Sequence, residues 1–253
     1  MFLINPYTFV TASGDNDFKI TVDTTVTAGG SASDTFILPL QNGATNMTVY
    51  WGDGNSDVIT TYNQAELTHV YASSGTYQIT LDGSFYGIRF AGTGDCRKLS
   101  SIDNWGNNQW GSMANAFQNC RNVVGNYTDN PDTSLVTTMN TAFRDCKVFN
   151  SPLDIDTSNV TDMNNIFISS SLFNQDISGW DISSLTTASL ALQFTAFSTT
   201  NYDLLLVAWE GQTELTGVAF HAGTAKYSAG APATARGVLV GTSTWTITDG
   251  GPV

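Results

Sequence analysis

The chain has 253 residues, 41% of them hydrophobic and 11% aromatic, which suits one large packed core or a few small ones and excludes a disordered protein. Only 12% of residues are charged, and the balance of 22 acidic to 9 basic side chains leaves a net charge of -13. That charge excludes nucleic acid as a partner, since phosphate neutralisation needs clustered Lys and Arg, and the absence of any ~20-residue apolar run excludes membrane insertion.

Residues 1–16 begin MFLINPYTF and then turn polar. With no basic stretch, and an apolar run broken by Asn5 and Pro6, they do not read as a secretory signal. The chain is therefore expected either to stay in the cytosol or to leave the cell by another route, of which host lysis by a virus is one. Two readings of the stretch stay open. One is a short leader; the other is a docking arm, because Phe2, Leu3, Ile4, Tyr7 and Phe9 are costly to leave in water.

From Phe18 to Phe90, apolar and polar residues alternate in short runs such as FKITVDTTV, MTVYWGDG and TYQITLDG, separated by Gly, Asn and Ser turns. Strands at this spacing predict a β-sandwich over 17–88. Trp51-Gly52-Asp53-Gly54 reads as a strand running into a tight turn, with Asp53 capping turn amides and the glycines free to take positive φ. A second signature follows in His69, Tyr71, Gly75 and Tyr77. The pairing of WGDG with HxYxxxGxYxI resembles the PKD domain. The resemblance implies an immunoglobulin-like sandwich serving as spacer or interaction module, with His69 and Asp53 stabilising its ends. Asp53 as a catalytic acid lacks a partner carboxylate or base in the neighbouring sequence.

Beyond the Gly-rich joint AGTGD the sequence repeats. Cys96, Cys120, Cys146 and Ser170 are spaced 24, 26 and 24 residues apart, and each is followed three positions later by Leu99, Val123, Phe149 or Phe173. Met113, Met139 and Met163 stand seven positions before the last three of these, and Phe117, Phe143 and Phe167 three positions before. Self-similarity at such a period predicts stacked units that cannot bury their apolar faces alone. Val160, Met163 and Phe167 at i, i+3 and i+7 predict a short helix with Thr157 or Ser158 as N-cap, followed by an extended segment through Phe173, Ile177 and Trp180. Three cysteines exclude a complete disulfide framework, no CxxC pair offers a metal site, and equivalent positions ~5 Å apart on parallel vectors predict a buried, reduced ladder.

These repeats resemble the BspA-type leucine-rich repeats, most closely in VTDMNNIF and LFNQDISGWDISSL, over about Arg89 to Phe197. The pattern departs at Ser170, which replaces the cysteine, and at Ala188, which replaces the methionine. The resemblance implies a curved solenoid. After about Ser198 the period is lost, and the sequence predicts a helix over Tyr202 to Trp209 between Asn201 and Gly211, a strand at VAFHAG, a helix around Ala231 to Val240 and a last strand. Such a tail reads as a cap on the open end of the array.

The expected architecture is thus an arm (1–16), a PKD/immunoglobulin-like β-sandwich (17–88), a short leucine-rich-repeat solenoid (89–197) and a C-terminal α/β capping segment (198–253). Catalytic signatures are missing: there is no phosphate loop, GxSxG or HExxH, and the two histidines, His69 and His221, each have a local explanation. Asp154, Asp156, Asp162, Asp176 and Asp181 recur with the repeat and read as turn residues. No cofactor is expected. Ca2+ at these turns stays open, although EF-hand spacing is absent. The expectation is a non-enzymatic structural or binding protein of a bacteriophage virion, as capsid decoration, head fibre or tail-associated adhesin. Its partners would be other virion or surface proteins through the arm and a host-surface protein or glycan through the repeats, within an oligomeric assembly. The alternative is an exported adhesin of the bacterial cell surface.

Overall fold

The computed structural model describes residues 16–212 and 216–253. The arm residues Phe2, Leu3, Ile4, Tyr7 and Phe9 lie outside the described residues. Strand β1 (Phe18–Asp23) follows from strict alternation: Phe18, Ile20 and Val22 are buried, while Lys19, Thr21 and Asp23 are half-buried on the other face. β3 (Thr45–Tyr50) and β6 (Thr76–Phe85) bury Met47 and Val49, and Ile79 and Leu81, against the same core. Together with β4 (Ser56–Ile59), β7 (Leu99–Asn104) and β8 (Val124–Gly125) they make one six-stranded mixed sheet in the order β4-β3-β6-β1-β7-β8. β1 pairs antiparallel with β6 on one side and with β7 on the other, and the β7–β8 pair is parallel. β2 (Thr35–Ile37) and β5 (Thr68–Val70) pair apart from this sheet.

The PKD/immunoglobulin-like sandwich expected for 17–88 is therefore corrected. Within 17–88 only the three-residue β2 and β5 stand outside the main sheet among the described strands, and the sheet does not stop at residue 88. β1 keeps an open edge that Leu99–Asn104 satisfies, although the spacing of the sequence assigns that run to the first repeat. An aromatic cluster closes the junction: Phe18, Phe85, Trp105 and Trp110 hold ring centroids 5.4 to 5.8 Å apart. Pairs of this kind contribute about 0.5–1.5 kcal/mol each beyond the area they bury.

The leucine-rich-repeat solenoid of strand-plus-helix units is corrected as well. Between β8 and residue 199 the described chain has neither helix nor strand, only turns and isolated bridges such as Thr138–Asp162 and Asp162–Thr187. The reason lies in the backbone. Each unit holds two residues at positive φ, four apart: Asn115 and Asn119, Thr141 and Asp145, Asn165 and Ser169, Leu190 and Phe194, all between 56° and 65°. A left-handed residue every fourth position breaks the i to i−4 ladder on which a helix depends. Three-residue turns form instead, with Ile166 N–H donating to Met163 O and Ser170 N–H to Phe167 O, while Thr157 and Ser158 cap no helix. Alternate amides around these positions bond to the next unit. Asn115, Phe117 and Asn119 donate to Asn140, Ala142 and Arg144 at 2.9, 2.7 and 2.7 Å, and Thr141, Phe143 and Asp145 donate to Asn164, Ile166 and Ile168 at 2.9 Å each. The repeats thus stack as turn-built rungs rather than as a leucine-rich-repeat sheet.

Both α-helices of the described residues come after the repeats. α1 (Thr199–Glu210) buries Tyr202, Leu205, Leu206 and Trp209, and its N-cap is Ser198, whose hydroxyl accepts from Asn201 N–H, rather than Asn201 itself. β9 (Ala219–His221) and β10 (Thr246–Thr248) form a parallel pair, and α2 (Ala231–Gly241) lies between them in the chain. β9 continues the stack, since Ala188 and Leu192 donate to Ala219 O and His221 O.

Candidate functional site

The WGDG and His69 signatures do meet. His69 Nε2 lies 2.9 Å from Asp53 Oδ2, and its ring stacks on Trp51 with centroids 4.8 Å apart and an interplanar angle of 4°. The other edge of the ring meets Tyr71, which in turn stacks on Tyr77 at 3.7 Å. Tyr71 Oη donates to Trp51 O, and Trp51 Nε1–H donates to Asp57 Oδ2 at 2.8 Å. Gly52, at φ 84°, has no room for a side chain because a Cβ there would collide with Gln78 O. Gly54 shares the positive φ, and Gly75 shares three hydrogen bonds with Thr24. Burial pulls the Asp53 carboxyl upward, but the bonds from His69 and Asn55 outweigh it and hold the group below its ordinary range. Burial pushes the Tyr71 hydroxyl well above its ordinary value. With its oxygens taken by His69 and Asn55, Asp53 fastens a turn.

The repeat residues face the interior. Cys96, Cys120 and Cys146 are free and buried, as are Met113, Met139 and Met163. Phe117, Phe143 and Phe167 stack in file at 5.2 and 5.6 Å, and Phe149 and Phe173 form a second file beside them. Ser170 keeps the cysteine position by replacing the thiol's packing with bonds: its hydroxyl donates to Phe143 O at 2.6 Å and accepts from Cys146 N–H. Burial pushes the thiols of Cys96, Cys120 and Cys146 upward, so none is a thiolate nucleophile. A disulfide-exchange reagent such as DTNB is accordingly expected to leave all three unmodified in native buffer and to titrate three thiols in denaturant. Rapid native labelling would contradict the burial.

Two polar clusters were not visible in the sequence. In the first, Lys98 is 1% exposed and its ammonium donates to Ser31 Oγ, Ala32 O and Thr35 O at 2.8, 2.7 and 2.6 Å, with Asp95 Oδ1 at 3.5 Å. Asp95, 3% exposed, accepts from Ser31 N–H and Ile37 N–H. The one available signal was a lysine two positions after Cys96, where later units carry Asn122, Val148 and Leu172. In the second, Asp249 Oδ2 accepts from Tyr202 Oη at 2.7 Å and from Arg236 Nε at 2.6 Å, and the guanidinium lies over the Tyr227 ring. This cluster ties α1, α2 and the segment after β10 to one carboxylate.

Among the described residues, no three His, Cys, Asp or Glu side chains gather into a group that could hold a metal ion, and no helix is long and apolar enough to cross a membrane. The repeated acids serve turns: Asp156 accepts from Ser158 N–H and Oγ, and Asp176 and Asp181 accept from Ser178 and Ser183. An open groove of about 490 Å³ runs beside α1, lined by Thr200, Leu204, Val207 and Pro232 among others.

These observations define a class: a mixed β-sheet continued by turn-built repeats whose backbone amides and several side chains bond from one rung to the next. Residues 95–213 match a family model described as "Mycoplasma protein of unknown function, DUF285", which covers the repeats and α1 and a little under half of the chain. No curated protein and no solved structure matches.

Proposed function

We propose that this chain is a non-enzymatic structural and binding protein that presents its repeat surface to a protein or glycan from the outside of a larger assembly. The observation that carries the reading is the division of labour within each rung. Inward positions hold stacked Phe, Met and Cys, while the outward ones set Asn, Thr, Gln and Asp in columns repeated from rung to rung. Gln175 bonding to Asn150, Thr186 to Thr161 and Asn159 to Ser134 are examples. Such rows suit an extended partner.

The setting we propose is a bacteriophage particle, as capsid decoration, head fibre or tail-associated adhesin. Mass spectrometry of gradient-purified particles is expected to find the chain in stoichiometric amounts, and its absence there would end that assignment. A second setting, the bacterial cell surface, is favoured by the likeness to a Mycoplasma family. Protease shaving of intact cells would then release its peptides.

A further inference from the structure

The acidic balance of this chain has one exception, and it is local. Six of the nine basic residues fall within 89–147, alongside five carboxylates, against three basic and seventeen acidic residues in the rest of the chain. Arg97, Arg121 and Lys147 each follow the cysteine of their unit and so share one column of the stack. Arg121 and Lys147 meet at Asp145, at 2.7 and 2.6 Å, which leaves the column with a surplus of positive charge.

From the Cys146 unit onward the same corner carries apolar residues. Val148 and Leu172, two positions after Cys146 and Ser170, are 39% and 53% exposed. Leu190 and Phe194 are 38% and 66% exposed and sit at φ 58° and 63°. Earlier units fill those two left-handed positions with Asn115, Thr141 and Asn165, and with Asn119, Asp145 and Ser169. A bulky side chain in this backbone region is strained, and leaving it in water adds a second cost. Exposed apolar residues held in strained geometry mark a surface that is covered in use.

The same chain carries a matching face. On α1, Leu204 and Val207 are 47% and 44% exposed, and Asp203 and Glu210 flank them on the same side of the helix. Asp203, Leu204 and Val207 line the open groove together with Pro232. One face is an apolar pair beside cations, and the other an apolar pair beside carboxylates.

We propose that the Arg121–Phe194 corner of one copy docks on the α1 face of a second copy. Because the two surfaces differ, the contact is head-to-tail and propagates into a ring or a filament. Sedimentation equilibrium of the full chain at up to about 100 μM should show association beyond a dimer. The association should weaken at least about tenfold between about 50 mM and 500 mM NaCl. Leu190→Asn with Phe194→Asn should abolish it while leaving the far-ultraviolet circular dichroism unchanged, since asparagine already occupies these positions in earlier rungs. Arg121→Glu with Lys147→Glu breaks the same face at an exposed and a half-buried residue. Leu204→Ser with Val207→Ser breaks the other. Mixing the Leu190/Phe194 and Leu204/Val207 variants should restore a dimer and nothing larger, because each retains one intact face. A wild-type chain that stays monomeric overturns the proposal. So does association that survives in the Leu204/Val207 variant, which would indicate a symmetric corner-to-corner contact, or a mixture that remains monomeric.

Discussion

Replacing Lys98 with alanine is expected to destabilise the protein by about 3–5 kcal/mol, the cost of removing one partner from a fully buried ion pair. The ammonium is the shared donor for Ser31, Ala32 and Thr35, so its removal takes the charged donor from three carbonyl oxygens and leaves Ala32 O with Thr35 N–H and Thr35 O with the Ser31 hydroxyl. Asp95 would keep its bonds from Ser31 and Ile37 but lose its countercharge in a site that is almost dry. The cluster also joins the segment ahead of β2 to the turn at Gly94–Arg97, where the repeats begin. Urea unfolding is therefore expected to show a lower midpoint and, where the two parts uncouple, a broadened transition with a reduced slope. Replacing the pair together, Asp95→Asn with Lys98→Met, should recover part of the loss, because no lone charge is then left inside. A Lys98→Ala variant within 1 kcal/mol of the parent would mean that water reaches the site.

The sequence made the period plain because stacking demands the same chemistry at the same interval. The Cys, Met and Phe columns could be read without knowing the shape of a unit. Shape was harder. Val160, Met163 and Phe167 fit a helix, and they fit equally well a turn that returns the chain to the interior every third or fourth residue. What separates the two is the pair of left-handed positions, and the clue was polar: Asn115 and Asn119, or Asn165 and Ser169, set four apart in residue types that tolerate positive φ. β1, β3 and β6 of the main sheet were legible from alternation, whereas β4 and β8 were not, and neither was the second partner of β1, since Leu99–Asn104 carries the repeat signature and a strand pattern together. Asp53 and His69 were both singled out in the sequence, but that they bond to one another is visible only in the folded chain. The meetings of Lys98 with Ser31 and of Asp249 with Tyr202 and Arg236 span 67, 47 and 13 residues without any periodic signal, so only the folded chain reveals them.

The Asp249 cluster gives the second large effect, and it comes with a pH signature. Burial raises the carboxyl, but the bonds from Arg236 and Tyr202 outweigh it and hold the folded group below its ordinary value. A carboxyl lowered on folding contributes stability that is fully present above the unfolded pKa of ~3.9 and is lost as pH falls through the lower folded value. Asp249→Asn is therefore expected to cost about 2–4 kcal/mol at neutral pH, where an Arg236 guanidinium that is 23% exposed loses its countercharge at a site 4% exposed. The gap between parent and variant should narrow steadily below about pH 4, because protonation then removes the charge from the parent as well. Asp53, Asp145 and Asp156 are lowered too, so both proteins lose stability in acid, and only the difference between their melting curves isolates Asp249. Tyr202→Phe supplies a control, since it removes one neutral donor and leaves the Arg236 pair in place, with an expected cost of about 1 kcal/mol at every pH above 4. A gap between Asp249→Asn and parent that stays constant down to pH 2 would show that this carboxylate is not what holds α1, α2 and the segment after β10 together.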